Sequence, residues 1–262
     1  MQKTKIQYLT HTWNPIAMRC TPVSEGCRNC WHIPMTRRLA GNTLLSEKRK
    51  LAYAGGEPYL IPEELESPLH LRMPAVIGVQ FMGDLFHEAV PYGFTCHVLD
   101  IIQQCPQHKF MILTKRPELM FNHLYGNWDM PGGGTWRYMT ESTIIPNLYL
   151  GVSVENENYL KRVEELLKIP AAKRFISFEP LLTHTLIPDY LINNKLIDQI
   201  IIGCESGPKR RPCKIEWVRF LVEQARTAGV KVFVKQLDIN GKVSHKMNEW
   251  PQDLRIRNSF EF

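Results

Sequence analysis

The chain has 262 residues, a formal net charge of +6, a hydrophobic fraction of 44% and an aromatic fraction of 10%. That apolar content can bury a large core, so the composition excludes a disordered or fibrous protein. A sequence pI near 8.9 permits a phosphate-bearing partner without requiring one. No run of eighteen apolar residues occurs and residues 1–13 lack a signal-peptide core, so we expect a cytoplasmic protein with no membrane partner.

Apolar runs of strand length alternate along the chain with segments of helical periodicity. Their near-continuous β-branched and aromatic content predicts strands that are buried on both faces, as in a parallel sheet. A weaker strand candidate at 6–13 leads into a cysteine-rich loop. The other strand candidates are 76–82, 109–114, 148–154, 173–179, 199–204 and 230–235, and the helical segments are 91–105, 116–126, 157–169 and 215–229.

Alternating strands and helices with short connections predict βαβ units in an α/β fold. Six or seven such units fit a full or partial parallel (β/α) barrel better than an open doubly wound sheet, with the cysteine loop after the first strand. No change in composition marks a boundary, so we expect a single domain over residues 1–262. Two stretches look inserted, near 41–73 and 125–142, and long connections are usually functional loops, lids or disordered segments.

The strongest local signature is the spacing C-x6-C-x2-C formed by Cys20, Cys27 and Cys30. Two cysteines separated by two residues can bind one metal centre, because a short turn brings their sulfurs together. Three thiolates suit a [4Fe–4S] cluster with one iron left open, or a zinc ion that takes a fourth ligand from elsewhere. The candidates for that fourth zinc ligand are His11, Glu25 and His32.

The remaining four cysteines are interpreted as buried thiols in a reducing compartment. An odd total of seven also argues against a fully paired secreted framework. These four residues are Cys96, Cys105, Cys204 and Cys213, of which Cys204 lies at the end of a predicted strand.

Polar side chains stand at the carboxyl ends of six successive predicted strands. In a parallel α/β barrel these ends and the following loops build the active site. Each residue alone is as readily a helix cap or a solvated loop residue, but six polar ends in succession favour one polar site. The residues are Asp84, His87, Thr114, Lys115, Arg116, Ser153, Glu155, Asn156, Ser177, Glu179, Glu205, Ser206, Lys235 and Gln236.

A basic run, PKRRPCK at 208–214, follows one of these strands. It is interpreted either as a solvated loop or as a contact for phosphate or nucleic acid. Arg210 is its candidate for substrate binding. No phosphate-binding loop or dinucleotide fingerprint occurs in the sequence.

Several ordered motifs support a family resemblance from about Thr10 to Gln236. They are THTWNP, SEGC within the cysteine segment, MGDLFHE, LTKRP, GVSVEN, FISFEPLL and GCESGPKRRP. In this order they resemble a phage-associated family of proteins with a three-cysteine motif, a domain of unknown function. That family looks like a divergent branch of the radical S-adenosylmethionine (SAM) superfamily, whose usual spacing is C-x3-C-x2-C.

The resemblance implies a radical SAM enzyme that holds a [4Fe–4S] cluster through Cys20, Cys27 and Cys30 and generates a 5′-deoxyadenosyl radical from SAM. The implied substrate is a nucleobase, a nucleotide or a modified thymine in phage DNA, and the implied reaction is a hypermodification such as an isomerisation. The implied electron donor is a flavodoxin or ferredoxin. If the chain is phage-encoded, we expect it in the cytoplasm of the host cell.

Position and charge type suggest roles for the remaining site residues. Trp31, Asp84, Ser153 and Glu155 are assigned to SAM, Lys115, Glu179, Glu205 and Lys235 to catalysis, and His87, Arg116 and Arg210 to the substrate. The alternative is a non-catalytic nucleic-acid-binding module with a structural zinc or iron–sulfur site, in which residues 208–214 and the aromatic segment 125–142 form the binding face. Such a module has less need of six polar strand ends.

Overall fold

The computed structural model of the chain describes residues 1–129, 133, 135–140, 143–207 and 209–258. Two compact units make up the chain, and each draws on separate stretches of sequence. Unit 1 comprises Met1–Thr21, His32–Leu150 and Lys168–Ala172, and unit 2 comprises Pro22–Trp31, Gly151–Leu167 and Lys173–Phe262. The expectation of one domain over the whole chain stays a prediction.

Thirteen strands and seven α-helices lie in the described residues. The strands are β1 (Gln2–Lys3), β2 (His11–Trp13), β3 (Ile16–Ala17), β4 (Tyr59–Leu60), β5 (Val76–Val79), β6 (Lys109–Thr114), β7 (Trp128–Asp129), β8 (Thr135–Trp136), β9 (Leu148–Ser153), β10 (Lys173–Phe178), β11 (Gln199–Gly203), β12 (Lys231–Ile239) and β13 (Lys242–Ser244). The helices are α1 (His32–Ala40), α2 (Glu47–Ala54), α3 (Pro62–Leu65), α4 (Tyr92–Gln104), α5 (Pro117–Tyr125), α6 (Lys161–Leu167) and α7 (Ile215–Thr227). No described helix is long and apolar enough to cross a membrane.

In unit 1, β2, β5 and β6 are parallel neighbours, and β1 pairs antiparallel with β2. The apolar run of β5 is buried along its whole length, as expected for a strand covered on both faces. Trp13, Ile77 and Phe110 are fully buried in the core of this unit.

In unit 2, β10, β11 and β12 are parallel neighbours. β13 returns antiparallel along β12 through a two-residue turn at Asn240 and Gly241, both of which have positive φ. An Asn-Gly pair is the preferred sequence for such a turn, because both residues tolerate the left-handed conformation. β9 is divided between the units after Leu150.

The predicted parallel (β/α) barrel with six to seven strands is wrong. The strands form one nine-stranded sheet in the order β1-β2-β5-β6-β9-β10-β11-β12-β13, which is mixed and not closed. Within the described residues the two edge strands are antiparallel additions, and no pairing joins β1 to β13. Residues 179–198, which link β10 to β11, are all described and contain no helix, so the strand–helix alternation also breaks there. The cysteine segment follows β3, which pairs with β4 outside the large sheet.

The two inserted stretches contain regular structure. The stretch 41–73 carries α2, β4 and α3, and its residues Ala52, Tyr53 and Ile61 form a small core with Ala17. The stretch 125–142 carries β7 and β8, although its residues 130–132, 134, 141 and 142 lie outside the described part of the chain.

The described part of the second stretch packs on α4. The ring of Trp128 stacks on Tyr92 with 4.2 Å between centroids and 12° between planes. The hydroxyl of Tyr138 donates to Asp100 Oδ1 at 2.7 Å.

Candidate functional site

The seven cysteines differ sharply in exposure. All lie in the described part of the chain, and none of them forms a disulfide there. Cys20, Cys27 and Cys30 are half-buried, whereas the other four are buried. Burial raises the pKa of Cys204 and of Cys213 to about 12, which keeps both thiols neutral. Burial also raises the pKa of Cys96 and of Cys105. Of the three half-buried cysteines, Cys20 belongs to unit 1, and Cys27 and Cys30 belong to unit 2.

In unit 1, Arg116 lies directly against Cys20. Its Nη1 is 3.8 Å from Cys20 Sγ, and its Nη2 donates to the carbonyl oxygen of Thr21 at 3.1 Å and to Thr21 Oγ1 at 2.9 Å. A guanidinium is always charged and favours the thiolate form of a nearby cysteine. The sequence assigned Arg116 to the substrate, and the structure places it at the first cysteine.

Two carboxylates bind the guanidinium of Arg116. Its Nη1 pairs with Asp84 Oδ2 at 3.2 Å, and its Nε donates to both oxygens of Glu88 at 2.9 and 3.0 Å. Asp84 also accepts from Thr114 Oγ1 at 2.8 Å and from the backbone N–H of Lys115 at 3.3 Å. Burial on its own lowers the pKa of Arg116, but the hydrogen bond to Glu88 and the neighbouring negative charges raise it above its usual value.

Two buried histidines complete the support of Cys20. His32 Nε2 accepts from the backbone N–H of Cys20 at 3.0 Å, and burial lowers the pKa of His32 to about 4, so it is neutral at pH 7. His87 Nε2 lies 2.9 Å from Thr21 Oγ1, and burial followed by the charge of Arg116 lowers the pKa of His87. We call the set Asp84, His87, Glu88, Arg116 and His32 the Cys20 clamp.

In unit 2, residues 24–30 form two successive tight turns, which we call the cysteine turn. The N–H of Cys27 donates to the carbonyl of Ser24 at 3.0 Å, and the N–H of Cys30 donates to the carbonyl of Cys27 at 3.2 Å. The first turn is a short 3-10 helix, Glu25–Cys27. Cys27 and Cys30 therefore lie at the two ends of one tight turn, as the C-x2-C spacing predicts.

Glu155 lies beneath the first half of the cysteine turn. Its side chain has 0% exposure, and its Oε1 accepts from Ser24 Oγ at 2.6 Å. Its Oε2 accepts from Arg162 Nη1 at 2.9 Å, and the same nitrogen donates to the carbonyl of Ser153 at 2.7 Å. A Cβ at Gly26 would stand 2.8 Å from Glu155 Cδ, so only glycine permits this close approach. One carboxylate oxygen thus supports the turn, and the other is held by Arg162.

Glu205 supports the second half of the cysteine turn. Its Oε2 accepts from Asn29 Nδ2 at 3.1 Å, from the N–H of Arg211 at 2.7 Å and from Arg211 Nε at 3.0 Å. Burial alone raises the pKa of Glu205, but the hydrogen bonds from Arg211 and Asn29 lower it below its usual value. The carboxylate is therefore ionised and fixed beside the turn.

A third cluster lies at the strand ends of unit 2. Lys235 Nζ is 2.9 Å from Glu179 Oε1, and Glu179 Oε2 accepts from Ser177 Oγ at 3.2 Å. Ser153 Oγ donates to the carbonyl of Glu179 at 3.4 Å. A Cβ at Gly203 would stand 2.8 Å from Glu179 Oε1, so the ends of β9, β10, β11 and β12 converge on this pair. Both charged side chains are partly exposed, with 20% of Lys235 and 13% of Glu179 accessible.

The side chains of three other predicted site residues are not part of the contacts described above. Arg210 forms a two-point ion pair with Asp238, with distances of 2.7 and 3.3 Å, so its charge is already neutralised. Trp31 is 49% exposed, and Lys115 is half-buried. Pro208, the first residue of the basic run, lies outside the described residues.

Sequence reasoning missed several residues that hold the two glutamates and Arg116. They are Ser24, Asn29, Arg162 and Arg211 in unit 2, and Glu88 and Thr21 in unit 1. One signal was available in the sequence. The two glutamates at the cysteine turn are each followed by an arginine partner, Glu155 by Arg162 seven residues later and Glu205 by Arg211 six residues later.

The donor set fits a group held by three thiolates. Three half-buried thiols lie within eleven residues of sequence, and their number and softness match an iron–sulfur cluster. Among the described residues, no three or more histidine, cysteine, aspartate or glutamate side chains are already arranged around a metal position. The fit is therefore one of donor chemistry.

Each residue considered as a fourth zinc ligand has a polar contact through one of its side-chain atoms. His32 Nε2 accepts from the backbone of Cys20, and Glu25 Oε1 accepts from Asn156 Nδ2. His11 Nδ1 lies 3.0 Å from Thr10 Oγ1.

Comparisons with known proteins identify one match. A family model described as "Protein of unknown function (DUF5131)" matches residues 3–254. No curated protein and no solved structure matches the chain. The matched range contains every residue of the Cys20 clamp and of the cysteine turn.

Proposed function

This chain belongs to the DUF5131 family of proteins of unknown function, and we propose that it is a radical SAM enzyme. Cys20, Cys27 and Cys30 would hold a [4Fe–4S] cluster. If bound, such a cluster would supply the one electron that cleaves SAM to a 5′-deoxyadenosyl radical and methionine. The proposed substrate is a nucleobase, a nucleotide or a modified thymine in phage DNA. The proposed reaction is a hypermodification such as an isomerisation, with a flavodoxin or ferredoxin as the electron donor.

The contrast among the cysteines carries this proposal. Among the seven cysteines, only the three of the signature are partly exposed. Buried charged side chains contact both parts of the signature, Arg116 at Cys20 and Glu155 at Ser24 in the cysteine turn. Reactive and ligating cysteines are partly exposed, as these three are, whereas structural cysteines are buried and inert. Cys20 also has a cation, Arg116, directly beside it. Placing ion pairs behind a loop costs desolvation energy, and a ligand-binding role explains that cost better than a solvated loop does.

The residues of the chain divide into positioning and contact roles. Arg116 keeps Cys20 charged, and Asp84 keeps Arg116 in place. Glu155 holds the cysteine turn, so we propose it as a positioning residue, in place of the SAM contact expected from the sequence. Lys235 and Glu179 form the partly exposed ion pair that we propose to meet the substrate. Trp31 keeps its proposed role as a SAM contact, since an exposed indole offers a face on which the adenine could stack.

Metal analysis tests this function directly. Protein purified without oxygen should be brown and hold about four irons per chain, as a [4Fe–4S] cluster requires. Cys27→Ala should lose the cluster, whereas Cys96→Ala, which removes a buried cysteine on α4, should keep it. Colourless protein with one zinc per chain would support the non-catalytic module instead.

Turnover tests the second half of the proposal. Cluster-loaded protein mixed with dithionite and SAM should release 5′-deoxyadenosine. The nucleoside should be absent with Cys27→Ala and present with Cys96→Ala. A fully loaded sample that releases none would overturn the enzymatic assignment.

A further inference from the structure

The α1–α2 helical pair of unit 1 ends in a positively charged tip. Residues 41–46 join the last turn of α1 to the first turn of α2, so these two turns lie at the same end of the pair. Arg37 and Arg38 occupy the last turn of α1 and Lys48 the first turn of α2, and all three are exposed. Leu44 stands between them with 91% of its surface exposed. We call Arg37, Arg38, Lys48 and Leu44 the basic tip.

The charges of the basic tip are not neutralised within the described residues. Glu47, the acidic residue closest in sequence, pairs with Lys50 on its own helix. No ion pair in the described part of the chain includes Arg37, Arg38 or Lys48. Arg38 Nη2 contacts Met35 Sδ at 3.0 Å, and Lys48 Nζ lies 6.0 Å from the ring centroid of Tyr59. Three cations thus face solvent around one exposed leucine.

The turn that carries Leu44 is held by hydrogen bonds. Asn42 Oδ1 accepts from the N–H of Leu44 at 3.0 Å, and the carbonyl of Asn42 accepts from the N–H of Leu45 at 3.2 Å. Leu45 packs on the small core of Ala52 and Tyr53. Leu44 is therefore an apolar side chain presented outward by a structured turn, next to a leucine that is used for packing.

We propose that the basic tip binds duplex DNA and that Leu44 inserts between base steps. Cations that carry no counter-charge of their own match the phosphate backbone, which releases counterions when they bind. Apolar wedges, leucine among them, unstack base steps and kink the duplex when inserted from the minor groove. The inference rests on the proposed function, since an enzyme that modifies a thymine in DNA must first extrude that base from the stack. It selects polymeric DNA over a single nucleotide, which needs no wedge.

Charge removal at the basic tip tests the binding half. The triple variant Arg37→Gln, Arg38→Gln, Lys48→Gln should bind a labelled duplex about tenfold or more weakly at moderate salt, as judged by fluorescence anisotropy. The slope of log K against log salt should fall by about three, one for each phosphate that the variant no longer neutralises. The matched control is Lys161→Gln, Lys195→Gln, Lys242→Gln, which removes the same charge from exposed lysines elsewhere and should leave both quantities nearly unchanged.

Base unstacking tests the role of Leu44. Wild-type protein should raise the fluorescence of 2-aminopurine placed in the duplex, because unstacking relieves its quenching. Leu44→Ala should lose most of this rise while keeping duplex affinity within about threefold, since the cations provide the affinity. Leu51→Ala is the control, because Leu51 is 62% exposed but lies beyond the tip on α2, and it should keep the rise.

Several results would overturn the inference. They are equal losses in both triple variants, an unchanged 2-aminopurine signal with Leu44→Ala, or tighter binding to single-stranded DNA, RNA or anionic vesicles than to duplex. Binding is measured without SAM or reductant, whereas iron content and 5′-deoxyadenosine release are measured without DNA. Failure of the DNA inference and failure of the proposed function are therefore distinguishable.

Discussion

The Cys20 clamp and the cysteine turn present charge to their cysteines in opposite order. In the clamp a cation, Arg116, faces the sulfur and Asp84 lies behind it. In the turn a carboxylate, Glu155, reaches the loop through the neutral hydroxyl of Ser24, and the cation Arg162 lies behind. The first arrangement stabilises a thiolate directly, and the second fixes a backbone turn while a neutral side chain stands between the carboxylate and the thiol.

This difference separates the tasks of the two regions. A positive charge beside a cysteine raises its thiolate fraction, whereas a bare carboxylate beside a cysteine would lower it. Ser24 Oγ lies 3.7 Å from Cys27 Sγ and donates to Glu155, so it shields the sulfur from that negative charge. In protein without a cluster we therefore expect Cys20 to be the most reactive thiol of the three.

Breaking the clamp should have the largest effect. Arg116→Met leaves the buried Asp84 without its counter-charge, which costs about 3–5 kcal/mol of unfolding free energy for a buried ion pair. Urea unfolding measures this loss, and iodoacetamide should label Cys20 more slowly in the variant.

The control is Lys173→Met, which breaks a surface pair with Asp198 and should cost at most about 1 kcal/mol. Equal losses of unfolding free energy in the two variants would show that the Arg116–Asp84 pair contributes no more than a surface ion pair.

Acid should have the next largest effect, and it should act on the two units in different pH ranges. Burial lowers the pKa of His123 in unit 1 from 6.5 to about 4, so its contribution to stability is complete above pH 6.5 and is lost as the pH falls towards 4. The pKa of Glu205 in unit 2 is lowered from an ordinary value of 4.5, so its contribution is lost only below that pH.

The variant His123→Gln can keep a hydrogen bond to Thr95 and removes the titration. Its unfolding free energy should fall by about 3 kcal/mol less than that of wild type between pH 7 and 4. Parallel loss in both proteins over this range would contradict the assignment of acid sensitivity to this histidine.

Crowding the cysteine turn should have a smaller effect. In Gly26→Ala the added methyl group meets Glu155, and overpacking of this kind costs about 1–3 kcal/mol. Thermal unfolding checks it against Gly93→Ala on α4, where a Cβ meets nothing within 4 Å and better helix propensity should stabilise the protein slightly. Stabilisation by Gly26→Ala would show that Glu155 does not press on the turn.

The strands of the sheet were predictable, and its closure was not. Buried parallel strands such as β5 and β11 require near-continuous apolar runs, so their positions follow from the sequence. A barrel and an open sheet whose neighbours follow chain order share that same pattern. The strands that distinguish them, β1 and β13, have only two and three residues and carry no apolar signal.

The positions of the site residues were predictable from the sequence, but the partners of their side chains were not. Asp84, Glu155 and Glu205 stand where strand ends place polar groups, as expected from the sequence. A carboxylate that faces a ligand and one that holds a cysteine loop require the same residue at the same place. Only the partners Arg162 and Arg211, which lie on later segments, decide between the two roles.

Removing the Ser24 hydroxyl, which lies between Glu155 and Cys27, should have the smallest effect of these substitutions. Ser24→Ala deletes a donor to the buried Glu155, and a hydrogen bond to a charged group contributes about 1.5 kcal/mol or slightly more. Ser24→Thr keeps the hydroxyl and should restore most of the unfolding free energy. If Ser24→Ala matches wild type, the backbone hydrogen bonds alone hold the turn, and Glu155 and Arg162 would need another explanation for their burial.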